Sequence, residues 1–97
     1  MSQYPLTLNS VIRRNEKKFL ISRVGTETVM MDLESGDYIG LNEVGTDIWE
    51  KIPEPKIIGE LVDQLIAEYD VKAEQCILNT LNYLTQMQSI HAIEIVQ

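Results

Sequence analysis

Val29-Met30-Met31-Asp32-Leu33-Glu34-Ser35-Gly36-Asp37-Tyr38-Ile39-Gly40-Leu41-Asn42 is the stretch that decides how this chain folds. It reads as strand, turn, strand and helix cap. From Thr28 to Leu33 the residues alternate, so Val29, Met31 and Leu33 share one face of a strand and Met30 and Asp32 the other. Glu34-Ser35-Gly36 supplies the hairpin loop, with Gly36 suited to the left-handed backbone such loops require. On the return strand, Asp37 to Leu41, Ile39 and Leu41 point one way and Tyr38 the other. Asn42 is then a good N-cap, its side chain able to accept a bond from a first-turn amide.

Working outward, Phe19 to Val24 is short and β-prone and Gly25-Thr26 reads as a turn, which completes a three-strand meander with one apolar face. Residues 1–17 read as an N-terminal arm, Tyr4-Pro5 arguing against regular structure there. Downstream, Val44, Ile48 and Ile52 form a helical stripe flanked by Trp49, and Gly45 lets this helix approach the sheet. Pro53-Glu54-Pro55 stops it. A second helix is predicted over about 57–69, burying Ile58, Leu61, Val62, Leu65 and Tyr69, and a third over about 73–88. The tail from Ile90 to Val96 alternates weakly, as a short strand does. The expected fold is α+β: one domain over residues 18–97, a three-stranded antiparallel sheet followed by three helices.

The third helix carries two stripes. Ile77, Leu81 and Leu84 form an ordinary core stripe, and Cys76, Thr80, Tyr83 and Met87 form a second beside it. A surface helix needs one apolar face a little over 100° wide, and this uncharged surface is wider. Between Glu74 and Glu94 the chain carries no formal charge apart from His91 when protonated. The second stripe reads either as deeper burial of the helix or as the wall of a semi-polar groove beside the sheet.

The 97 residues support one core, with 44% hydrophobic residues and no apolar run of membrane-spanning length. The first six residues show neither a basic n-region nor an apolar h-region, so no secretory signal is visible, and the lone Cys76 fits a reducing cytoplasm. Charge is uneven: residues 1–24 carry +4 and the remainder −11, giving the net −7 of the chain. An acidic body repels phosphate backbones, and the basic N-terminal stretch reads as a solvated strand end. A catalytic constellation is missing. His91 is single, Cys76 has no base partner, and the carboxylates are spread along helix exteriors. Asp32, Glu34 and Asp37 lack the spacing of a calcium loop, so neither a metal site nor a cofactor site is expected. The chain is read as non-catalytic.

The segment from Val29 to Trp49, with Leu41-Asn42, Gly45 three residues later and Ile48-Trp49, resembles the PqqD-like family. Glu60-Leu61-Val62, Tyr69-Asp70-Val71 and the final Leu-rich helix also match its outline, so the resemblance spans about residues 18–91. Two positions depart from it: Ile57 stands where a capping Thr or Ser is usual, and Ser89 where a Gly usually ends the third helix. Ile48-Trp49 and the free-standing length look closer to the standalone members in lasso-peptide pathways than to the pyrroloquinoline quinone member.

This resemblance implies a winged helix-turn-helix-like recognition element for ribosomally made, post-translationally modified peptides. It binds the leader segment of a precursor peptide and presents it to a leader peptidase or other modifying enzyme. Carried over by position, the leader adds as a strand to Asp37, Tyr38, Ile39, Gly40 and Leu41, with side chains against Cys76, Asn79, Thr80, Tyr83 and Met87. Strand addition gives affinity through backbone bonds and specificity through alternate pockets. Tyr83 is taken as groove surface, so a charge placed there should spare the fold. The expected state is a monomer or weak dimer. The alternatives are a winged-helix DNA-binding regulator, which the acid-flanked third helix disfavours, and a peptide-free protein–protein adaptor.

Overall fold

The computed structural model of the protein describes residues 5–96. In chain order they form β1 (Val11–Arg14), β2 (Phe19–Val24), β3 (Glu27–Asp32), β4 (Tyr38–Leu41), α1 (Glu43–Glu50), β5 (Lys56–Ile57), α2 (Ile58–Glu68), α3 (Ala73–Ser89) and β6 (Ile93–Ile95). The architecture is the expected α+β, winged helix-turn-helix-like one, with an antiparallel β2-β3-β4 meander ahead of three helices. Gly25 (φ 63°) and Gly36 (φ 78°) turn its two hairpins in the left-handed region. Asn42 caps α1, its Oδ1 accepting from the Gly45 amide at 2.8 Å.

The two faces of β3 separate as the alternation predicts, and the structure shows which one is covered. Thr28 and Met30 are buried, and Val29 and Met31 lie on the opposite face. Register explains the assignment. Thr28 pairs with Leu41 and Met30 with Ile39, so these four share the face that packs against the helices. Thr28 tolerates burial because its hydroxyl meets that of Thr46 on α1 at 2.9 Å, and Thr46 also donates to the Leu41 carbonyl at 3.4 Å. Both faces of β3 are apolar, so alternation separated two sets without saying which one the helices would cover.

The expected arm is corrected as well. Val11–Arg14 is the middle strand of a second sheet, β5-β1-β6, and Ile12 is fully buried. Residues 1–4 of that stretch lie outside the described residues. The segment also supplies the cap that Ile57 cannot: Ser10 and Leu8 carbonyls accept from the Ile58 and Gly59 amides, each at 2.9 Å. A β-carbon at Gly59 would sit 3.2 Å from the Leu8 carbonyl oxygen, so a glycine suits this close approach. Ser89, where a glycine is usual, is still helical, and the left-handed position that ends α3 falls at His91, with φ 61°.

The basic N-terminal stretch is mostly paired. Arg13 meets Glu94, Arg14 meets Glu16, Lys18 meets Asp32 and Arg23 meets Glu50. Arg14 also lies over the Trp49 ring, 5.6 Å from its centroid, and donates to the Trp49 carbonyl at 3.0 Å. That tie joins β1 to the buried face of α1, where Ile48, Trp49 and the following Ile52 enter the core with Leu61, Leu65 and Leu84.

Candidate functional site

Strand β4 ends the β2-β3-β4 sheet, so among the described residues one of its edges is unpaired. The Asp32 amide donates to the Asp37 carbonyl at 2.8 Å. Bonding alternates along an antiparallel ladder, so Ile39 and Leu41 turn their backbone groups to β3. Tyr38 and Gly40 turn theirs outward. The free edge therefore offers the amide and carbonyl of two residues to any strand laid beside it. Nothing lies within 4 Å of a β-carbon built on Gly40, so the sheet face beside this edge is open.

At the end of β4 the surface dips between α1 and α3. Asn42, Val44, Gly45 and Ile48 form one wall and Asn79, Thr80 and Tyr83 the other, around a hollow of about 300 Å³. A second hollow of about 150 Å³ continues from Val44, Asn79 and Thr80 to Cys76, Gln75, Leu65, Tyr69 and Val71. No residue lining either hollow carries a formal charge. This surface accepts apolar and neutral polar groups without desolvating an ion.

The ten residues singled out from the sequence fall into three groups. Tyr38, Ile39, Gly40 and Leu41 form β4, whereas Asp37 precedes it in the turn. Asn79 and Thr80 line both hollows, Cys76 one and Tyr83 the other. Met87 is buried and lines neither. The inward stripe of α3 is Cys76, Thr80, Leu84 and Met87, while Ile77 and Leu81 are only partly buried against the core. Helix three is not buried more deeply than the other helices. Its uncharged width is instead a wall of the two hollows, with Thr80 and Cys76 at the boundary between wall and core.

Tyr83 differs most from its expected role. Its hydroxyl donates to the Gly45 carbonyl at 3.1 Å. A β-carbon at Gly45 would stand 3.1 Å from the Tyr83 ring. Gly45 thus admits α3 rather than the sheet, and Tyr83 clamps the two walls together. Burial pushes its hydroxyl pKa well above the ordinary tyrosine value.

Val44 was assigned to the α1 core stripe, yet it is 44% exposed and shared by both hollows. The signal lay in Gly45 and Thr46, two small residues that bring the neighbouring face inward and turn Val44 to the groove. At the far end, Tyr69 donates a hydroxyl bond to the Asp47 carboxylate and fastens α2 to α1. Among the described residues, no group of three or more His, Cys, Asp or Glu side chains is placed to share a metal ion. No helix among them is long and apolar enough to cross a membrane.

Comparison with known proteins agrees with this geometry. A family model described as Coenzyme PQQ synthesis protein D (PqqD) matches residues 27–93. A solved structure titled TbiB1 in Complex with the TbiA(beta) Leader Peptide is similar in fold, with a TM-score of 0.75 and 27% sequence identity. The likeness covers 84% of this chain and 94% of that one. No curated protein sequence matches.

Proposed function

The chain belongs to the PqqD family, and from that premise we propose that it binds the leader segment of a ribosomally synthesised precursor peptide and presents it to a maturation enzyme. The observation that carries this reading is the free edge of β4 beside an uncharged groove, in a fold shared with a protein solved with a leader peptide bound. The leader lies along Tyr38–Leu41 as an added strand. Its alternate side chains enter the hollows lined by Val44, Asn79 and Thr80. The chain does no chemistry of its own in this role. It acts in the cytoplasm, in a pathway of the lasso-peptide kind, and hands the precursor to a leader peptidase or a modifying enzyme.

The charge pattern supports this role over DNA recognition. Helix α3, Ala73–Ser89, contains no Lys or Arg, and its first turn holds Glu74. Phosphate recognition needs the opposite sign.

The test uses a fluorescein-labelled synthetic peptide of the leader encoded with this protein, titrated by polarisation. N-methylation of the peptide at successive residues removes one amide donor at a time. Strand addition predicts that alternate methylations abolish binding and the intervening ones leave it intact. Asn79→Glu puts a charge into the groove at an exposed position and should weaken binding at least tenfold, about 1.4 kcal/mol. A peptide insensitive to N-methylation, or a folded Asn79→Glu protein of unchanged affinity, would overturn this mode of binding.

A further inference from the structure

The face of the β2-β3-β4 sheet turned away from the helices is apolar and bare. Leu20, Met31 and Tyr38 stand side by side across its three strands, and Val29 lies next to Gly40 in the neighbouring row. Leu20 is 57% exposed, Val24 63% and Tyr38 72%. The helices cannot cover these residues, because they pack on the opposite face through Thr28 and Met30. Contiguous apolar surface of this kind marks an interaction site.

Charge identifies what fits. The strand residues of this face include no Lys or Arg. Glu27 stands at one end of the sheet and Asp37 at the other, and among the described residues neither is in an ion pair. On a chain of net −7, such a rim opposes nucleic acid, an anionic lipid surface and a second copy of the same face. It suits a protein surface with an apolar centre and Lys or Arg at its margin.

We propose that this outer face docks the enzyme that matures the bound precursor. The inference rests on the leader-binding reading and deepens it. A leader strand added to β4 becomes the fourth strand of this sheet. Its side chains alternate, one set entering the groove and the other standing in the plane of Leu20, Met31 and Tyr38. Protein and leader then form one continuous surface, and the enzyme docks more tightly when the leader is in place.

The experiment uses the full chain, the synthetic leader, and the purified enzyme and precursor encoded with it. Leu20→Glu and Val24→Glu change exposed side chains on β2, away from the β4 edge. Expected are leader affinity within twofold of the original, an unchanged thermal melt and at least a tenfold loss of precursor turnover. Enzyme binding, read by biolayer interferometry, should strengthen when leader is added and fall at least tenfold in both variants. Unchanged turnover and enzyme binding would overturn the proposal. Loss of leader affinity would assign the face to the leader instead, and a sedimenting dimer abolished by either variant would assign it to a second copy. A leader that fails to bind the unaltered protein defeats the underlying reading, an outcome separate from these.

Discussion

His91 closes α3 in the left-handed region, where a β-carbon is disfavoured. Two bonds surround it: its own amide donates to the Gln88 carbonyl at 3.0 Å, and the Ala92 amide to the Met87 carbonyl at 2.9 Å. This is a Schellman ending with histidine where glycine is usual. His91→Gly should therefore stabilise the protein by roughly 0.5–1 kcal/mol, read as a higher urea midpoint. A lower midpoint would show that the imidazole makes a contact worth more than the strain. Tyr69 allows a test by pH. Its hydrogen bond to Asp47, with burial and that carboxylate's charge, pushes its hydroxyl from 10.0 up to about 12. A pKa raised by folding contributes stability that is complete below the unfolded value and lost as pH rises through the folded one. Urea midpoints should thus fall between pH 10 and 12, and Tyr69→Phe should be less stable at pH 8 but flatter across that window. Equal slopes for the two proteins would exclude Tyr69 as the titrating group.

Helix α1 is the element that joins fold to site, and Trp49 is its anchor. The ring is buried and lies under Arg14 of β1, so Trp49→Ala should cost about 3–5 kcal/mol, seen as a large drop in melting temperature. An unchanged melt would contradict its packing. This helix, its Asn42 cap, the meander and the two later helices were all legible from local pattern and capping chemistry. The faces of β3 were not, because Val29 and Met31 are as apolar as Met30, and a shift of one residue exchanges the two sets. Strand β1 was illegible for a different reason. Its partners, Lys56–Ile57 and Ile93–Ile95, are short and distant in sequence, so no local periodicity announces the pairing. At the candidate groove, strand β4 was readable from pattern and Asn79, which lines both hollows, came from the family resemblance, whereas the clamp of Tyr83 on Gly45 depends on how closely two helices approach. Tyr83→Glu should accordingly lower the melting temperature, and only a variant such as Asn79→Glu separates groove from fold.

For the molecule as a whole, the N-terminal segment is the brace that closes the structure, although the family match begins only at residue 27. The Arg14 amide donates to the Ile52 carbonyl after α1, the Asn15 amide to the Ala92 carbonyl after α3, and the Val96 amide to the Val11 carbonyl. With the Leu8 and Ser10 carbonyls at the start of α2, one stretch of chain binds the ends of all three helices. Deleting residues 1–15 would strand those groups, expose β5 and β6 and remove Ile12 from the core. Ile12→Ala alone should cost about 2–5 kcal/mol. A small domain is stable by only about 5–15 kcal/mol, so the deletion should abolish cooperative unfolding while leaving much of the helical signal in circular dichroism. Ile12→Ala separates this bracing from binding. The residue pairs with Lys56 and Ile95 rather than with the β2-β3-β4 sheet, so the β4 edge stays intact. Below its lowered melting temperature the variant should bind the labelled leader within about twofold of the original, a difference of about 0.4 kcal/mol. A deletion protein that melts like the full chain would restore the reading of residues 1–17 as an arm. An Ile12→Ala protein that is folded yet unable to bind would instead make β1 part of the recognition surface.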